Sequence, residues 1–73
     1  MKDKMQQAIE ASQQDVIVAA EQKLGRLLSD AECGGIQSIS SLTMLESCYL
    51  SFSSQVYTQA QVLSDLEHFA KRA

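Results

Sequence analysis

The chain has no proline, three glycines, two cysteines and one histidine in 73 residues. With no proline, nothing in the chain removes a backbone donor from a helix interior or locks a turn. The glycines are too few for a phosphate-cradling loop, and Gly34-Gly35 lacks both the following lysine and the strand-to-helix setting such a loop needs. Cys33, Cys48 and His68 show none of the short spacings of a zinc knuckle or of a paired nucleophile and base, so no metal and no cofactor is expected. Long apolar runs are also missing, the longest being Val16 to Ala20. With the polar opening MKDKMQQAIEASQQD, this leads us to expect neither a signal peptide nor a membrane span. A reducing cytoplasm, in which Cys33 and Cys48 stay unpaired, is the expected setting.

Positive charge is scarce where it would matter for nucleic acid. Between Leu27 and Ala70 there is no Lys or Arg but five acids, Asp30, Glu32, Glu46, Asp65 and Glu67, and the formal net charge is −3. The cations sit at Lys2, Lys4, Lys23, Arg26, Lys71 and Arg72. No concentrated basic face results, so nucleic acid is not the expected partner. A small helix–turn–helix regulator is the competing reading on size and helix number. The segment between Ile36 and Ser54 that would enter the groove, however, carries Glu46 and no cation.

What is present favours helix. The composition is 45% apolar and 21% charged, in the range of chains that fold, and rich in Ala, Gln, Leu and Glu, which lose little rotamer freedom in a helix. A single domain of this length buries only about 60% of its unfolded surface, so its stability margin is thin. A first helix is predicted from about Asp3 to Leu24, with Met5, Ile9, Ser12, Val16, Ala20, Leu24 and Leu27 spaced by threes and fours. Gly25 is placed to stop it. Ser29-Asp30-Ala31-Glu32 forms a capping box, with Leu28 and Cys33 as its staple, and Gly34-Gly35 is expected to bend the chain after one extra turn. Ile36, Ile39, Leu42, Leu45, Tyr49, Phe52 and Val56 predict a second long helix to about Ser54. The many serines there keep a hairpin across Tyr49–Thr58 as an alternative. Thr58-Gln59-Ala60-Gln61 opens the last helix, whose stripe is Val62, Leu66 and Phe69 beside Leu63 and Ala70. Glu67 pairs with Lys71, and Lys71-Arg72 complement the helix dipole. The expected fold is therefore all-α, one domain over residues 1–73. It is a small bundle of three main helices plus a short extra turn near residues 30–34.

Val16-Ile17-Val18-Ala19-Ala20 covers more than a full helical turn with apolar side chains, so the middle of the first helix should be contacted from two sides. One side is the internal core. The other is expected to be a second copy, or one larger protein, touching Met5, Ile9, Val16, Ile17, Val18 and Ala20. The carboxylates Asp65 and Glu67 point to different sides of a helix and offer no paired acid and base. The expected role is a non-enzymatic protein–protein interaction or oligomerisation module.

The stretches Ala20-Glu21-Gln22-Lys23-Leu24-Gly25, Leu27-Leu28-Ser29 and Ile36-Gln37-Ser38-Ile39-Ser40-Ser41-Leu42-Thr43-Met44-Leu45-Glu46 resemble the helical carboxy-terminal region of transposase-like nucleases, where a helix ending near glycine precedes two short helices. The resemblance spans residues 20–46 and departs from the family pattern at Phe52-Ser53-Ser54. It implies a helical accessory or self-association segment without the nuclease carboxylates.

Overall fold

A computed structural model describes residues 3–72, the side chain of Arg72 excepted, so the part that residue was expected to play at the helix dipole lies outside the described residues. Among the described residues there are four helices: α1 (Lys4–Leu24), α2 (Asp30–Gln37), α3 (Leu42–Ser53) and α4 (Gln59–Arg72). No strand is present among the described residues, and Tyr49 to Ser53 belong to α3 rather than to a hairpin.

Local chemistry accounts for most of the helix ends. Asp3 caps α1 by accepting from the Gln6 N–H, and Gly25 ends it at φ 70°, its N–H returning to the Glu21 carbonyl. Ser29 and Glu32 form the reciprocal box at the start of α2: the Ser29 hydroxyl accepts from the Glu32 N–H, and the Glu32 carboxylate accepts from the Ser29 N–H at 2.8 Å. Thr58 and Gln61 repeat that exchange at the start of α4.

The bundle differs from the sequence-based expectation between residues 34 and 41. The expected single turn near residues 30–34 is an eight-residue helix that runs through Gly34-Gly35 without bending there. The expected long helix from Ile36 is instead interrupted at Ser38–Ser41. The Ser38 hydroxyl donates to the Gly35 carbonyl at 2.6 Å, competing with helix continuation, and the Ser41 hydroxyl caps a new helix by accepting from the Met44 N–H. From across the fold, the Gln13 amide donates to the carbonyls of Gln37 (3.0 Å) and Ile39 (2.8 Å), binding the open end of α2 to α1.

The described residues thus hold four helices where three and a short extra turn were expected. Gln13 meets the end of α2, while the Glu21 carboxylate accepts from the Leu28 N–H just before its start, so α2 runs back along α1. Ser12 and Asp15 face Leu45, Glu46 and Tyr49, and Ala19 and Lys23 face Phe52 and Ser53, so α3 runs in the direction of α1. Lys23 ties three ends together: its ammonium donates to the Ser54 carbonyl at 2.5 Å, and its own carbonyl accepts from the Gln59 side chain at 2.9 Å. α1 packs on all three other helices, and α2 packs on α4.

The core contains Val16, Ile17, Ala19, Ala20, Ile36, Ile39, Leu45, Phe52, Val62, Leu66 and Phe69. Gly35 lies inside it for a steric reason. A Cβ placed there would come within 2.8 Å of the Ala70 nitrogen and 2.9 Å of the Phe69 carbonyl carbon, so α2 and α4 cross backbone to backbone. Leu27, expected to extend the stripe of α1, lies beyond its end and is exposed.

Arg26 clamps Glu32 through two hydrogen bonds of 2.9 and 3.0 Å. That contact, then the Ser29 N–H, lowers the Glu32 carboxyl from 4.5 to about 2. A depressed carboxyl stabilises the fold fully above its unfolded value and ceases to do so as pH falls through the folded one. Thermal midpoints are therefore expected to hold down to about pH 4.5 and then to fall toward pH 2. The variant Glu32→Gln should have a lower midpoint at neutral pH and a flatter acid limb, which circular dichroism melts at stepped pH would check.

Candidate association surface

The groups that sequence reading weighed for chemistry lie apart. Cys33 and Cys48 are free and half-buried. Burial first, then neighbouring carboxylates, pushes both thiols above their ordinary value: Glu21, Asp30 and Glu32 act on Cys33, and Asp65 acts on Cys48. Both thiols are therefore held in their protonated, weakly nucleophilic form. His68 lies on the exposed side of α4, its ring edge-on to Phe69. Among the described residues, no three His, Cys, Asp or Glu side chains converge where a metal could sit. No helix among them is long and apolar enough to cross a membrane.

One polar contact escaped the sequence reading. The Tyr57 hydroxyl donates a hydrogen bond to the Asp65 carboxylate, and its ring packs beside Phe52 with centroids 6.0 Å apart. The bond to Asp65, then burial, raises the Tyr57 hydroxyl from 10 to about 12. The pairing locks the Ser54–Thr58 turn onto α4. A raised tyrosine stabilises the fold below its unfolded value and ceases to do so as pH climbs through the folded one, here between pH 10 and 12. A spectrophotometric titration should show one tyrosine transition displaced to about 12, and Tyr57→Phe should remove it. Asp65→Asn should bring it down instead.

Among the described residues, three cations are engaged within the subunit. Lys23 serves the Ser54 carbonyl, Arg26 clamps Glu32, and Lys71 sits 3.3 Å from Glu67. Exposed apolar side chains remain at Met5, Val18, Leu27, Tyr49, Leu50, Val56 and Leu63. Two of these, Tyr49 and Leu50, share one face. Between α1 and α3 runs a groove of about 390 Å³ lined by Ser12, Asp15, Leu45, Glu46, Tyr49 and Leu50. Leu45 forms its buried floor, Tyr49 and Leu50 (69% exposed) form its apolar wall, and Asp15 and Glu46 bring negative charge to it.

The residues expected at the interface divide across this surface. Val16, Ile17 and Ala20 are buried within a single subunit, so a second copy is not needed to cover them. The expectation failed there because α1 is flanked by three helices, not by one core face. Ile9 is half-buried, whereas Met5 (59% exposed) and Val18 (39%) do face outward. Tyr49 and Leu50 were missed: Tyr49 was assigned to the core stripe, but Leu45 and Phe52 are buried with Met44 and Cys48 packed beside them, which leaves Tyr49 at the edge of that face. No family model, curated protein or solved structure matches the chain.

Proposed function

We propose that this protein is a non-enzymatic interaction module that takes a helical segment of a protein partner along the face shared by α1 and α3. The observation that carries this reading is the groove itself, in which the exposed Tyr49 and Leu50 stand over a buried apolar floor between two carboxylates. An exposed apolar wall of this kind, with tyrosine as an amphipathic anchor, suits a partner that is apolar on one side and basic at its rim. No catalytic step belongs to this reading, since the two thiols are held protonated and Tyr57 is engaged with Asp65. The free, half-buried cysteines suit a reducing compartment such as the cytoplasm.

A photo-crosslinking residue at position 50 tests it in the native host. Discrete protein adducts are expected there and not at Ser64 on the outer side of α4; equal labelling at both positions, or none at either, would refute the reading.

A second reading, DNA binding, is favoured by one observation: α2, the four-residue Ser38–Ser41 turn and α3 follow one another as in a helix–turn–helix unit. Charge opposes it. α3 carries Glu46 and no cation, and Lys23, Arg26 and Lys71 are engaged elsewhere. A gel shift at low ionic strength should show no retardation, whereas a salt-dependent shift would favour this second reading.

A further inference from the structure

Resting on the α1–α3 interaction reading, we infer that the occupant of the groove is α1 of a second copy, lying antiparallel so that Lys4 of each subunit meets Asp15 of the other. Three observations lead there. First, α1 is longer than the body beside it. Its 21 residues span about 31 Å against about 18 Å for the 12 of α3, and every residue from Lys4 to Ala8 is exposed, Met5 included. An overhanging turn of this kind, with Met5 exposed on it, gains little from its own subunit, and helices of this size are held mainly by packing.

Second, the charges are self-complementary. Lys4 and Asp15 are eleven residues apart, three helical turns and about 16 Å, and so occupy one exposed stripe with Ala8, Ala11 and Val18. A two-fold axis passing between Ala8 and Ala11 exchanges Lys4 with Asp15 of the partner and Ala8 with Ala11 of the partner, the isologous arrangement of a closed dimer. Neither Lys4 nor Asp15 has an ion-pair partner among the described residues.

Third, the same operation delivers the overhang to the groove. α3 runs in the direction of α1 and flanks Ser12 and Asp15 with Tyr49 and Leu50. An antiparallel α1 whose residue 4 is level with Asp15 brings its Met5 beside that apolar wall and its Lys4 beside both Asp15 and Glu46. The two alanines near the axis leave room for close approach. The smallest specific interfaces bury about 1,000 Å² in total, which here is about a tenth of each subunit's 4878 Å², so the dimer should be weak.

The test uses this chain alone: light scattering and native mass spectrometry across a range of concentrations. The wild-type chain should dimerise in the micromolar range. Lys4→Glu and Asp15→Lys should each weaken the dimer by about tenfold, because attraction at both symmetry-related contacts becomes repulsion. Mixed in equal amounts, the two variants should form a mixed dimer tighter than either variant alone, since both cross-subunit pairs between positions 4 and 15 are then opposite in sign, while Glu46 beside the carboxylate introduced by Lys4→Glu keeps it short of wild type. Melting curves would check that both variants, altered only at exposed positions, remain folded.

A wild-type monomer at high micromolar concentration would overturn the self-association inference. If position 50 still crosslinks to a different protein in the host, the interaction reading survives its loss. A dimer in which the mixed variants show no recovery would overturn the antiparallel register.

Discussion

Gly35→Ala is expected to lower the thermal midpoint by about 10 °C or more, while Gly34→Ala, one residue earlier on the same helix, is expected to raise it by a few degrees. Neither glycine has positive φ, so helix propensity alone would favour alanine at both by about 0.5–1 kcal/mol. The difference lies in what each added methyl would meet. At Gly34 there is nothing within 4 Å; at Gly35 the methyl lands 2.8 Å from the Ala70 nitrogen and 2.9 Å from the Phe69 carbonyl carbon. Both of those atoms are backbone, so no side chain can swing aside, and α2 must withdraw from α4. Overpacking of this type costs about 1–3 kcal/mol and sometimes more, and 1 kcal/mol moves the midpoint of so small a domain by about 4–8 °C. Gly35→Val should be worse than Gly35→Ala. Parallel melts of the set would check this, and equal midpoints for Gly34→Ala and Gly35→Ala would refute the backbone crossing.

Phe52→Ala should have the largest effect of any truncation in the core. Phe52 is 1% exposed, the largest of the fully buried side chains, and lies where α3 meets α1 beside the Tyr57 ring. Removing a buried phenylalanine side chain costs about 3–5 kcal/mol, part transfer and part cavity. Domains have about 5–15 kcal/mol in all, and one this small belongs near the lower end. The variant should be largely unfolded at physiological temperature. Phe52→Leu, which keeps most of the volume, should lose about 1.5 kcal/mol or less. Urea titrations would check both, with the midpoint moving and the slope retained if the fold is otherwise intact.

Helix as the fold class, and most helix starts, could be read from the sequence because their causes are local. Ser29 with Glu32, Thr58 with Gln61, and Gly25 at φ 70° all act within a few residues of one another. The α2–α3 break could not be read the same way. Ile36, Ile39, Leu42 and Leu45 keep helical spacing straight across it, and one of the groups that satisfies the opened carbonyls is Gln13, 24 and 26 residues away. The double glycine was ambiguous for a related reason. A bend and a close approach call for the same residue, and only the position of Ala70, half the chain distant, decides between them. The candidate surface was legible in part. Val18 was found because an apolar residue off the core stripe is visible locally, whereas Met5 lies on that stripe and is nonetheless exposed. Tyr49 has the same helical spacing as Leu45 and Phe52, and only the packing of Met44 and Cys48 beside them decides that it stands outside the core.

The Gly35 crossing also bears on the order in which the chain can become structured as it leaves the ribosome. α3 can settle on α1 once both have emerged, but α2 has only eight residues, two of them glycine, and its close neighbour lies at Phe69–Ala70. Vectorial synthesis therefore leaves the second helix waiting for the last one. A nascent product released before Phe69 would lack the closest part of the surface against which residues 30–37 pack, and proteases should find both that segment and the shortened last helix more open than in the full chain.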